Sequence, residues 1–241
     1  MAPNSIPNDI YQHSLPKALS LGITELSPQV NHLTSHGTHG IATTSDGSLV
    51  VLIDSVAWRI SRTREYPMDT DDEPSSGDML VRSAFPGTQL PFAMVTVFQP
   101  HTYSTSYNTM GAIRNMFKSE RDGLPNSFAP FTVTATFQNV RVRVQGEEFA
   151  LHDIKGTIFG FWAPAWAANF SVDGLYAIFL GDADESGKKG GEVLDFEALE
   201  DEAKLRWAVC GRFHLGLPRV CGFSFTPLSD SFVLDLVGRV C

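Results

Sequence analysis

Apolar and polar positions alternate along much of this chain, with the period of a strand. From Phe131 to Val144, Val133, Ala135, Phe137, Val140, Val142 and Val144 interleave with Thr132, Thr134, Thr136, Arg141 and Arg143. This predicts a strand with a slip, read as a bulge, near Asn139. Phe149 to Trp162, Leu175 to Leu180 and Glu192 to Phe196 continue as strands, with a loop from Gly181 to Gly191 and a turn or short helix over Ala163 to Ala168. Upstream, Ser48 to Ile60 reads as a β-branched hairpin turning near Asp54-Ser55, and Phe92 to Phe98 as a buried strand. Ala203 to Phe213 and Phe223 to Val240 add strand-like segments.

Helical spacing is scarce. Asn108 to Arg121 places Met110, Ile113 and Phe117 on one face and is expected to stop at Gly123 and Pro125. Tyr11 to Leu21 is a short helical candidate, whereas His32 to Ser48, rich in Gly, Thr and Ser, reads as turns and short strands. Arg64 to Gly77 is polar, acidic and interrupted by Pro67 and Pro74, the composition of a disordered loop. The count favours a strand-rich α+β fold of two packed mixed or antiparallel sheets with few helices. We expect residues 1–241 to form one unit, with a division into two β-rich halves placed near residue 145.

Composition narrows the partners. With 241 residues the chain buries a core without staples, and 43% apolar with 19% charged residues is ordinary globular usage. A net charge of -9, with no clustered Lys or Arg, argues against nucleic acid as a partner. Three cysteines at unrelated spacings do not make a disulfide framework, so Cys210 and Cys221 are expected as free thiols. No secretory pattern opens the chain and no apolar run is long enough to span a membrane, so a cytoplasmic protein acting on a small organic molecule is expected.

Several blocks then fall in a familiar order. Tyr11-Gln12-His13-Ser14, His36-Gly37-Thr38-His39-Gly40, Asp46-Gly47-Ser48-Leu49, Leu90-Pro91-Phe92-Ala93, Gly156-Thr157-Ile158-Phe159-Gly160-Phe161 and Phe213-His214 with Leu217-Pro218 resemble successive segments of the acetolactate decarboxylases. The resemblance implies a fold of two packed β-rich halves and a homodimer. It also implies a zinc ion held by three imidazoles, which polarises the substrate ketone so that electrons from the departing carboxylate have a destination.

The three ligand positions of that family here read Tyr176, Ile178 and Glu192. A glutamate that the family carries in its Asp-Gly-Glu turn is Ser48, and the family's catalytic arginine corresponds to Arg143 in Val140-Arg141-Val142-Arg143. The Pro-rich loop that follows this strand in the family is missing, which reshapes the pocket mouth. The resemblance therefore predicts a metal-free site without cofactor, with Arg143, Tyr176 and Glu192 catalytic and Arg143, Ser48 and Ile178 against the substrate. A fixed guanidinium suits a carboxylate or enolate oxygen, and a phenol beside a carboxyl moves protons. The competing reading is a hydrogen-bonded plug filling the space of the metal, with Arg143 as exposed as Arg141.

His32-x3-His36-x2-His39 is the single local histidine cluster, and its spacing alone does not make it a metal site. His101 and His152 carry no partner pattern, and the resemblance makes His214 a structural position. No Ser-His-Asp order, nucleophile elbow or P-loop occurs, and Gly187 to Gly191 lacks the phosphate-loop pattern. Beside a structural remnant whose function is association with another protein, two function classes remain. One is a repurposed lyase or isomerase/cyclase acting on a small organic acid or 1,3-dicarbonyl-like metabolite, of the kind found in specialised metabolism. The other is a non-catalytic protein that keeps the pocket for binding.

Overall fold

Asp54 and Ser55 both take positive φ (49° and 66°), the conformation of a two-residue hairpin turn whose twist matches its strands. They join β3 (Leu49–Ile53) to β4 (Val56–Arg62), as the sequence predicts. In the computed structural model, residues 6–24, 27–62, 79–119, 126–183, 187–200 and 202–217 are described, with the backbone of two short strands further on. The acidic loop expected from Arg64 to Gly77 lies outside the described residues, as do Gly123 and Pro125.

The remaining strands of the first half are β1 (Ile10–His13), β2 (His39–Thr43), β5 (Met79–Ser83) and β6 (Phe92–Thr96). The second half contributes β7 (Thr102–Ser104), β8 (Ala129–Val144), β9 (Glu147–Ala163), β10 (Gly174–Gly181), β11 (Gly190–Ala198), β12 (Lys204–Trp207) and β13 (Phe213–Gly216). A separate pair, β14 (Phe223–Phe225) and β15 (Leu236–Gly238), ends the chain. Three helices are described: α1 (Pro16–Ser20), α2 (Val30–His36) and α3 (Met110–Lys118). None is long and apolar enough to cross a membrane.

Sheet one runs β13-β1-β6-β2-β3-β4-β5 and sheet two β11-β10-β9-β8-β12-β7. β11 also pairs with β8, so β8, β9, β10 and β11 close into a ring. The chain passes between the sheets after Thr96 and returns with β13, while Gln145 and Gly146 form the tight turn of the β8–β9 hairpin. Ile10, Ile41, Val51, Ile60 and Met94 on the inner face of sheet one share one core with Phe131, Phe137, Phe159 and Ile178 of sheet two. On the outer face, Val30 and Leu33 of α2 cover Ala42, Val50, Leu52 and Val95.

Three sequence expectations are corrected. The first part of Tyr11 to Leu21 is strand: Ile10 and Gln12 are buried while Tyr11 and His13 point outward, and only after Ser14 (φ 66°) does Pro16 open a helix. His32 to Ser48 opens inside a helix rather than turns. α2 has only two buried apolar anchors, so packing on the sheet, not periodicity, makes it. Ala203 to Phe213, read as strand-like, is strand only over Lys204–Trp207 and again from Phe213, with irregular chain between. Met110, Ile113 and Phe117 are buried on α3, whose Thr109 hydroxyl caps the Ala112 N–H (3.2 Å). The slip near Asn139 is real: Gln138 and Asn139 are both exposed, and Gln138 has no partner in the β8–β11 register.

Candidate functional site

Residues directly opposite one another in antiparallel strands point to the same face. Arg143 stands opposite Glu192, Glu192 opposite Ile178, Ile178 opposite Phe159, Phe159 opposite Thr132 and Thr132 opposite Arg206. One row thus runs across the closing seam of the ring from Arg143 to Arg206. Tyr176, two residues before Ile178 on β10, shares that face and stands opposite Phe161.

Within the row, Arg143 grips Glu192 with two parallel bonds, Nε to Oε2 at 3.1 Å and Nη2 to Oε1 at 2.9 Å. The arginine is 44% exposed and the glutamate 21%. Tyr176 is half-buried, and burial first, then the Glu192 charge, push its phenol well above the ordinary range against a smaller opposing effect of Arg143. It therefore keeps its proton at neutral pH and is an O–H donor. Ile178 is fully buried in the core. Three of the expected residues, Arg143, Glu192 and Tyr176, form one electrostatically coupled group.

Ser48 is not part of it. Its buried hydroxyl accepts from Arg59 Nη2 (3.1 Å), and Arg59 also pairs with Asp46. Burial opposes ionisation of Asp46, yet hydrogen bonds from Thr44 and Ser48 together with Arg59 hold its carboxyl below the usual carboxylate range. Gln145 ties this turn to the ring: its Nε2 donates to Asp46 O (2.9 Å).

The histidine cluster is divided between the two faces of sheet one. His36 stacks on Tyr11 (4.3 Å, 9°) on the outer face, with His32 Nε2 3.1 Å from His36 Nε2. His39 begins β2 on the inner face, paired with Thr96 and set against Phe98 (5.2 Å) and Phe159 (5.3 Å). Gly37 allows the crossing, because a Cβ there would lie 2.4 Å from Thr96 O. His39 lies above the row one strand from Ile178, with Nδ1 3.0 Å from Thr38 Oγ1 and Nε2 3.5 Å from Asp54 Oδ1. Sequence reasoning did not single out His39 for the pocket. Reading 39–43 as a strand would have placed it with Ile41 on the core face.

Burial lowers the His39 pKa below its ordinary value of 6.5; Asp54 opposes this and Arg206 reinforces it. His13 and His36 are also lowered, by burial and then by His32. The unfolded chain therefore binds more protons below about pH 6.5, so this contribution to stability is full above that pH and lost as pH falls toward the folded values. Urea midpoints measured from pH 8 to pH 5 should decline, and His39→Gln should flatten the decline. An unchanged profile in the variant would remove His39 from the account. Cys210 is a free thiol that burial, foremost, pushes up to about 11, so it is no nucleophile at neutral pH.

The positions that hold zinc in the resembling family do not fit the ion here. Ile178 has no lone pair, both Glu192 oxygens are engaged by Arg143, and the Tyr176 phenol is protonated. Among the described residues no group of three His, Cys, Asp or Glu is arranged to hold a metal.

Two packed sheets, one closed into a ring with an Arg-Glu-Tyr group at its seam, define a strand-rich protein class. The sequence profile of alpha-acetolactate decarboxylase matches residues 10–230. The chain belongs to this family. It is 26% identical to the alpha-acetolactate decarboxylase of Brevibacillus brevis over 95% of this chain and 80% of that one, and 27% identical to that of Bacillus licheniformis over 80% and 76%. Its fold is similar to a Staphylococcus aureus protein of unknown function similar to alpha-acetolactate decarboxylase (TM-score 0.72, 23% identity, 88% and 90% covered). It is also similar to the alpha-acetolactate decarboxylase of Bacillus subtilis strain 168 (TM-score 0.68, 21% identity, 88% and 90% covered).

Proposed function

We propose that this chain is a lyase of the acetolactate decarboxylase family whose Arg143–Glu192–Tyr176 group works without a metal, on a small organic acid or 1,3-dicarbonyl-like compound. The observation that carries the reading is the bidentate Arg143–Glu192 pair electrostatically coupled to a protonated Tyr176, with Glu192 and Tyr176 at two of the positions that resemble the family's imidazole ligands and Arg143 at that of its arginine. An oxo acid would lay its anionic oxygen along the guanidinium, in competition with Glu192. In a decarboxylation the bond to the carboxylate breaks, carbon dioxide leaves, and the electron pair enters the neighbouring carbonyl as an enolate. Arg143 offsets the charge on that oxygen, and the Tyr176 O–H supports it before a proton returns to carbon. Isomerisation or ring closure through the same enolate would use the same three groups.

The test is turnover by metal-stripped protein. Chelator-treated protein should release carbon dioxide or isomerised product from a panel of oxo acids and 1,3-dicarbonyls that includes acetolactate. Tyr176→Phe should lower kcat by roughly 10²- to 10⁴-fold, the range of a positioned proton donor. Turnover that appears only with added zinc would overturn the reading.

One observation favours a second reading, a non-catalytic binding protein: Glu192 occupies the whole Nε/Nη2 edge of the Arg143 guanidinium, and Ile178 fills the row with packed hydrocarbon. Saturable ligand binding that Arg143→Ala abolishes, with no turnover across the panel, would select it.

A further inference from the structure

We propose that His32 and His36 form a chelating site for a divalent transition-metal ion on the outer face of sheet one, apart from the Arg143–Glu192 pair. The two residues are four apart on α2, so their side chains lie on the same side of the helix. Their Nε2 atoms are 3.1 Å apart. Two imidazole nitrogens, each about 2.0–2.1 Å from one ion, stand roughly 2.9 Å apart at a right angle and roughly 3.3 Å apart at the tetrahedral angle. The observed separation falls between these limits, so the pair takes up an ion without rebuilding either rotamer.

The two imidazoles are inclined at 71° with centroids 4.6 Å apart, and the 3.1 Å separation brings their Nε2 atoms together. His36 is held by the Tyr11 ring stacked on it, and Tyr11 belongs to β1, which is paired on both sides. The helix is fixed beneath by Val30 and Leu33. His32 is exposed, so an ion enters directly from solvent.

Without a metal, the 3.1 Å contact needs one proton between the two nitrogens. An ion replaces that proton, and each imidazole then carries its hydrogen on Nδ1. No third His, Cys, Asp or Glu completes a preformed set among the described residues, so water fills the remaining positions. Two neutral imidazoles with open aqueous positions suit Cu²⁺ best, then Ni²⁺ and Zn²⁺. The pair lies on the face opposite His39 and the ring, so loading it does not require anything to bind at Arg143 and Glu192.

The test titrates untagged full-length protein with Cu²⁺ and with Zn²⁺ by calorimetry, and records the electron paramagnetic resonance spectrum of the Cu²⁺ form. One equivalent of Cu²⁺ is expected, with hyperfine structure from two nitrogens. His32→Ala and His36→Ala should each weaken binding by roughly 10²-fold or more, the advantage of presenting two donors together. His32 is exposed, so its replacement leaves the fold intact, which circular dichroism checks. His152→Ala, an exposed histidine elsewhere, should leave binding unchanged. Equal affinity in wild type, His32→Ala and His36→Ala, or a spectrum with a single nitrogen, would overturn the proposal.

Discussion

Arg143→Ala is expected to lower kcat/KM by roughly 10²- to 10³-fold on whichever oxo acid or dicarbonyl the protein turns over, the loss that follows removal of one preorganised charge-stabilising donor. Arg143→Lys should not restore it. A lysine ammonium is a point charge, and it cannot supply the two parallel donors that meet Glu192 at 3.1 and 2.9 Å. Stability should change little. Arg143 is 44% exposed, and an ion pair screened to that degree contributes on the order of 0–1 kcal/mol. Steady-state kinetics beside urea unfolding separates these effects. A large fall in stability with kcat/KM unchanged would make the pair a structural plug and sink the catalytic assignment.

Gly160→Ala is expected to remove about 1–3 kcal/mol of stability or more, although it adds one methyl group. A Cβ at this position would lie 2.4 Å from Tyr176 O and 2.6 Å from Ala177 Cβ. Neither neighbour has room to yield. β9 is paired on one side with β8 and on the other with β10, so shifting β10 breaks ladder bonds and displaces Tyr176. Gly111, exposed on α3, has an ordinary φ, and a Cβ added there would meet nothing within 4 Å. Gly111→Ala should therefore stabilise by about 0.5–1 kcal/mol, since alanine loses less conformational freedom in a helix. Denaturation midpoints of the two variants should move in opposite directions. A neutral Gly160→Ala would show that β9 and β10 are not held this tightly.

Strand β8 was legible because its second half buries one face, and the alternation up to Val144 states which one; β9 and β10 were legible instead as apolar runs buried on both faces. The hairpin at Asp54-Ser55 was legible because its β-branched flanks and turn residues agree. Helix α2 was not, because Val30 and Leu33 are too few to set a period and the helix owes its existence to the sheet beneath it. The residue types at the seam followed from a resemblance, but their contact depends on a pairing between β8 and β11 that no local pattern encodes. The fate of the three histidines was hidden for a related reason. Three residues of chain carry His36 and His39 to opposite sides of a sheet, and only the register of β2 against β6 determines which side each reaches.

The seam also has a consequence in time. β8 and β9 are joined by a two-residue turn, so their pairing closes almost no loop. Arg143 and Glu192 are 49 residues apart, and the entropy lost in bringing such positions together rises with their separation. Refolding should therefore zip the long hairpin first and join β11 to β8 last. An ion pair that forms only at that final step is a marker of the finished chain: a molecule with its ring ajar has most of its core and no Arg143–Glu192 contact.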